Sequence, residues 1–208
     1  MNDQPLTQTS DNTGAIVAAV TFAVVGVSFF MSMPVMVGAW SEYAGFSEQQ
    51  AGYLAALENG GTILSSLFVS ISLNRADRRT LAIGGIFFGV AANLASTALA
   101  DFYAIGFCRL LSGFGCGTLY ALGLAALAGT SNTGRNFSIL LFVQVSFGMV
   151  EINLFSALAE RAGINGIYLS MAFASAAWPH GALTGLLRPA FKRFHMHQNQ
   201  GSICRSCH

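Results

Sequence analysis

Residues 14–39 of the chain read GAIVAAVTFAVVGVSFFMSMPVMVGA and contain no charged side chain. A helix needs about 20 apolar residues to cross the hydrocarbon layer of a membrane. This run is too long to be the apolar core of a cleaved signal peptide, and neither Lys nor Arg precedes it. We therefore expect it to be a retained first membrane span.

The rest of the chain is similarly apolar. Of its 208 residues, 53% are hydrophobic and only 9% are charged, whereas about a quarter are charged in a soluble domain. Short polar segments separate six long apolar stretches, which predict spans at residues 14–40, 50–73, 80–100, 103–128, 136–159 and 165–187. The predicted fold is an all-α integral membrane domain over residues 14–187, flanked by tails at 1–13 and 188–208.

The basic residues predict an orientation, because short cytoplasmic loops accumulate Lys and Arg. In the six-span arrangement the basic clusters all fall on one side, at Arg75, Arg78, Arg79, Arg135, Arg188, Lys192 and Arg193. We expect a multi-pass protein of the plasma or inner cell membrane with both tails in the cytoplasm. The rings expected at the outer membrane interface are Trp40, Tyr43, Tyr103 and Tyr168.

Several other classes of protein are disfavoured by the sequence. The net charge is +1, which gives no basic excess for binding nucleic acid. The sequence has no phosphate-binding loop, no GxSxG and no HExxH. We expect neither an enzyme nor a bound cofactor, and the expected surroundings are the lipid bilayer.

Three ionisable residues fall inside the predicted spans, where charge is costly and usually marks function. They are Glu58, Arg109 and Glu151, and counting about 1.5 Å per residue puts them at a similar depth. An arginine between two glutamates leaves one excess negative charge, so one glutamate could exchange a proton. The alternative is a static ion pair that fixes helix packing. Asn59 and Gln144 are further candidates for a hydrated cavity, or for hydrogen bonds between helices.

Span four contains closely spaced glycines at Gly113, Gly115 and Gly117. Small residues four positions apart let membrane helices approach closely. We therefore expect these glycines to serve helix packing.

Two local patterns resemble motifs of the major facilitator superfamily, a family of solute transporters built from two six-helix halves. The segment from Ser70 to Arg79 reads SISLNRADRR and resembles the family's GxxxDRxGRR gating loop. The basic positions match, whereas Ser70, Asn74 and Asp77 replace Gly, Asp and Gly. The gating-loop candidates are Asn74, Arg75, Asp77, Arg78 and Arg79, and the alternative is a loop that is simply basic.

The second pattern is RLLSGFG from Arg109 to Gly115, which resembles the family's RxxxGxG signature in the fourth helix. The resemblance implies one half of such a transporter, a 3+3 inverted repeat that carries a small solute with H⁺ by symport. The family's GPxxGG element is absent from span five, which argues against an antiporter without excluding one.

In this family the substrate binds between two halves, and the resemblance covers only the N-terminal half. It therefore implies a homodimer, a second half-transporter chain or a truncated product. A transport-inactive or structural membrane protein is the alternative.

The last residues form a CxxCH motif from Cys204 through Cys207 to His208. The pattern is typical of covalent haem attachment, and these side chains could also bind a metal. A cytoplasmic tail without a following domain does not suit either group. We expect an unstructured tail, with haem or metal binding as a minor alternative.

Overall fold

A computed structural model of the protein describes residues 13–73 and 76–181, with side chains up to residue 177. The helices are α1 (Thr13–Glu42), α2 (Glu48–Ser72), α3 (Arg78–Thr97), α4 (Phe102–Ala128) and α5 (Thr133–Gly181). All five are long and apolar enough to span a membrane. The prediction of an all-α chain with membrane-spanning helices is therefore confirmed.

The fifth predicted span and the described part of the sixth both fall on α5, so the described residues form five helices where the sequence predicted six spans. α5 is broken at Gly163, whose φ of 62° and ψ of −159° are not helical. Glycine adopts a positive φ without steric cost, so the chain changes direction at one residue instead of through a loop. We call residues 133–162 the first segment of α5 and residues 163–181 its second segment.

Contacts on either side of Gly163 show that the second segment turns back along the bundle. Ala159, before the break, and Tyr168, after it, pack in the same apolar cluster as Trp40 near the end of α1. Farther along, Ser175 lies beside Gly89 in the middle of α3.

Polar side chains account for the starts of the middle helices. Ser47 caps α2 in a reciprocal capping box with Gln50, and Asp77 and Asp101 cap α3 and α4. Each cap satisfies a backbone N–H group that has no partner within its own helix.

Glycines hold α4 at the centre of the bundle, against α1, α2 and α3. A side chain at Gly113 would collide with the Glu58 carbonyl group of α2, and one at Gly115 would meet the backbone of α3 at Gly85 and Gly89. A side chain at Gly117 would strike Ser65 and Thr62. The three glycines expected to pack helices thus lie directly against their neighbours, because only a hydrogen atom fits there.

Candidate functional site

A hydrogen-bonded cluster of buried polar residues surrounds Arg109, and we call it the arginine cluster. Arg109 Nη1 lies 3.4 Å from Glu58 Oε2, and both side chains are almost completely buried. Arg109 Nη2 donates to Asn93 Oδ1 at 3.0 Å and to Ser96 Oγ at 2.7 Å. Ser112 donates to the other Glu58 oxygen at 2.9 Å. The cluster therefore joins α4 to α2 through an ion pair and α4 to α3 through hydrogen bonds.

The second segment of α5 covers the arginine cluster with an aromatic ring. The guanidinium carbon of Arg109 lies 4.6 Å from the centre of the Tyr168 ring, a cation–π arrangement. Trp40 donates from its indole nitrogen to the Tyr168 hydroxyl at 2.7 Å. Trp40 and Tyr168 are both buried inside the protein, where their polar groups bond each other instead of water. Tyr43 and Tyr103, the other two rings expected near the outer interface, are exposed.

Glu151 on the first segment of α5 lies in different surroundings. Its Oε1 accepts a hydrogen bond from Ser28 of α1, and its Oε2 is buried without a partner. Among the described residues Arg109 forms its ion pair with Glu58. The predicted arrangement, one arginine between two glutamates, is therefore corrected: Glu151 meets a hydroxyl group, because its helix packs against α1.

A cavity of about 470 Å³ opens between α1 and α2 and is backed by α4 and the first segment of α5. Its lining residues come from near the middle of these helices, among them Phe29 and Phe30 of α1, Glu58 and Asn59 of α2, Cys116 and Tyr120 of α4, and Gln144 of α5. Most of them are apolar. Glu58 connects this cavity to the arginine cluster, since one carboxyl group belongs to both.

Two of the predicted polar candidates line the same cavity. Asn59 donates to the Ala55 carbonyl oxygen of its own helix at 3.0 Å. Gln144 is 9% exposed, and its side-chain oxygen is buried without a hydrogen-bond partner. Gln144 and Glu151 are seven residues apart, so they share one face of α5.

The gating-loop candidates are only partly described. Asp77 caps α3, Arg78 is half-buried and Arg79 is exposed. Asn74 and Arg75 lie outside the described residues. The C-terminal metal or haem candidates Cys204, Cys207 and His208 also lie outside the described part of the chain.

Sequence reasoning missed most of the neutral residues that bond Arg109, Glu58 and Glu151. Ser28, Ser96 and Ser112 look like ordinary helix residues, because a serine in a membrane helix can bond its own backbone. Asn93 could have indicated the arginine cluster from the sequence, since an amide inside an apolar span needs a hydrogen-bond partner.

No protein family, curated protein or solved structure matches the chain. The likeness to the major facilitator superfamily therefore rests on the segments 70–79 and 109–115 alone.

Proposed function

We propose that the chain is a proton-coupled secondary transporter component of the major facilitator type. It contributes one six-helix half, in which the two segments of α5 cross the cell membrane separately. The break at Gly163 and the return of the second segment along the bundle support this count.

The positions of the loops support the orientation that we propose, with both termini in the cytoplasm. The start of α1 packs against the end of α4 and the first turns of α5 through Ala19, Leu127 and Leu140. The end of α2 and the start of α3 lie at this same end of the bundle, through Val69 and Ala82. The basic loops therefore share one end, as expected for a cytoplasmic face.

The cavity is the observation that carries the proposal. Carriers bind their solute near the middle of the bilayer, between repeats, and this cavity lies at mid-length of four helices. It also has a charged residue in its wall, which is costly in a membrane unless it serves a purpose. A simple structural bundle would gain more from filling the space with apolar side chains.

Glu151 is the proton carrier in this proposal. A buried ionised carboxylate without a cation is unfavourable, so Glu151 holds a proton while it is closed in against Ser28. Glu151 does not itself line the cavity, but it shares one face of α5 with Gln144, which does. Water that enters along this face during the transport cycle takes the proton away. Glu58 keeps its charge beside Arg109 and holds the helices in register.

A second wall completes the cavity, which is open on one side. We propose that a second copy of the chain or a second half-transporter chain supplies this wall. Alternating access then consists of rocking the two walls about the bound solute and proton.

Uptake into vesicles tests the function. The purified chain is placed in proteoliposomes that contain a pH-sensitive dye, and a panel of amines, amino acids, sugars and organic acids is added under an imposed pH gradient. We expect one class to enter together with protons, and Glu151→Gln to abolish this coupling. Glu160→Gln is the control, because Glu160 lies on the same helix and is exposed.

Two outcomes would contradict the proposal. If no solute enters although the protein is folded in the vesicles, the chain is a structural membrane protein. If Glu151→Gln and Glu58→Gln both leave proton-driven uptake intact, proton coupling through these residues is wrong.

A further inference from the structure

We propose that the cavity binds a small amphipathic amine in its protonated form, an apolar or aromatic body with one ammonium group. This inference rests on the proposed transport function and names its substrate class. Three properties of the cavity wall carry it: its charge, its hydrogen-bonding groups and its aromatic side chains.

The charge of the wall favours a cation. Among the described residues that line the cavity, Glu58 is the only one with a charged side chain. Arg109 is completely buried behind it, and its terminal nitrogens are bonded to Glu58, Asn93 and Ser96. A solute in the cavity therefore meets the acidic end of the pair, and an anion there would be repelled at low dielectric constant.

The hydrogen-bonding groups of the cavity wall favour a ligand that donates hydrogen bonds. The Asn59 amino group donates to the Ala55 carbonyl group and lies 4.0 Å from the Met33 sulfur. Thr62 donates its hydroxyl hydrogen to a backbone carbonyl group, that of Glu58 or Gly113. The buried Gln144 oxygen has no donor. A carboxylate offers about four acceptor positions, and Glu58 uses two in the arginine cluster. An ammonium group supplies the missing donors.

The remaining donors in the wall do not reverse this preference. They are the Tyr120 hydroxyl group, the Gln144 amino group and the weakly donating Cys116 thiol group, and each belongs to a side chain that also accepts. None of them carries a positive charge that could offset Glu58 for an anionic ligand.

The apolar part of the cavity suits the body of such an amine. Phe29, Phe30 and Tyr120 present aromatic rings and Ile63 an aliphatic side chain. Aromatic faces attract cations and also pack against a ring. The volume of about 470 Å³ lies in the range of small-molecule sites.

Two probes of matched shape and opposite charge test the inference. Phenethylammonium and 3-phenylpropanoate both carry a phenyl ring on a short chain, and they differ in the sign of the terminal charge. Binding of each radiolabelled probe to the full chain in detergent is measured by equilibrium dialysis, with empty micelles as the blank. We expect saturable binding of phenethylammonium and none of 3-phenylpropanoate.

Substitutions in the cavity wall test whether phenethylammonium binds there. Glu58→Gln should weaken phenethylammonium binding by about tenfold or more, the usual effect of losing one charged hydrogen bond. Because Glu58→Gln leaves Arg109 unpaired and destabilises the protein, Gln144→Leu is the second variant and should weaken binding about fivefold. Glu160→Gln, on the exposed face, should bind like the unaltered chain.

A thiol in the wall gives an independent readout. Cys116 lines the cavity, whereas Cys108, on the same helix, does not. In a Cys204→Ser, Cys207→Ser background, phenethylammonium should slow the modification of Cys116 by a small thiosulfonate and leave that of Cys108 unchanged.

The outcomes separate this inference from the transport function. If 3-phenylpropanoate binds as tightly, or the folded protein binds neither probe, the substrate class is wrong, whatever the vesicle assay shows for other solutes. If Gln144→Leu binds normally and Cys116 is not protected, the cavity is not the site. If phenethylammonium binds as expected and no solute is carried in vesicles, the binding site stands and the transport function fails.

Discussion

Glu58 and Glu151 are both buried glutamates in apolar helices, but their surroundings differ completely. Glu58 faces an arginine and a serine, and each of its oxygens has a partner. Glu151 faces one serine, and one of its oxygens has no partner. The comparison teaches that the same residue type can be fully paired on one side of a bundle and keep an unpartnered oxygen on the other.

The largest expected effect comes from removing the cation of the arginine cluster. Arg109→Gln leaves Glu58 buried without a counter-charge, and breaking a buried pair in this way costs about 3–5 kcal/mol. The free energy of unfolding, measured in mixed micelles, should fall by this amount. Arg135→Gln, on an exposed arginine, should change it little, and equal losses in both variants would contradict the role of the cluster.

The second prediction compares the two glutamates directly. Glu58→Gln should destabilise the protein by about 3 kcal/mol, because Arg109 loses its counter-charge. Glu151→Gln should cost less than about 1 kcal/mol, because an amide resembles the protonated carboxyl group. Unfolding in mixed micelles measures both. Similar losses in the two variants would mean that Glu151 is ionised in the folded protein.

The third prediction concerns the helix contact that brings Glu58 to Arg109. A methyl group at Gly61 would collide with the Leu110 backbone of α4, whereas at Gly60 nothing lies within 4 Å. Gly61→Ala should lower the free energy of unfolding by about 1–3 kcal/mol.

Two glycines serve as controls for that variant. Gly60→Ala, on the neighbouring residue, should be neutral or slightly stabilising, since alanine favours a helix. At Gly148 the nearest atom is Met31 Cβ at 3.1 Å, a contact that a shift of a few tenths of an ångström relieves, so Gly148→Ala should cost less than Gly61→Ala. A loss at Gly148 as large as that at Gly61 would show that the α1–α5 side is packed as rigidly as the α2–α4 side.

The smallest expected effect concerns the contact between α1 and the second segment of α5 above the arginine cluster. Tyr168→Phe removes the hydroxyl group that accepts the Trp40 hydrogen bond and keeps the ring that lies over Arg109. The expected loss is about 1 kcal/mol, measured by unfolding in mixed micelles. Tyr43→Phe, on a partly exposed ring, is the control and should have no measurable effect.

The position of the polar residues along each helix could be read from the sequence, but their rotation about the helix axis could not. Counting residues gave Glu58, Arg109 and Glu151 a common depth, and the first two do meet. It could not tell that Glu151 turns toward Ser28 of α1, since that depends on which helices are neighbours. The burial of Trp40 and Tyr168 was missed for the same reason.

The sequence by itself determined that the chain is helical and built for a membrane, because length and apolar composition act locally, residue by residue. It also determined where α2, α3 and α4 begin, through Ser47, Asp77 and Asp101. Only the tertiary structure decided which carboxyl group pairs with Arg109 and where a cavity remains. These features depend on the distances between helices, and the glycines that set those distances act only once a neighbouring backbone lies against them.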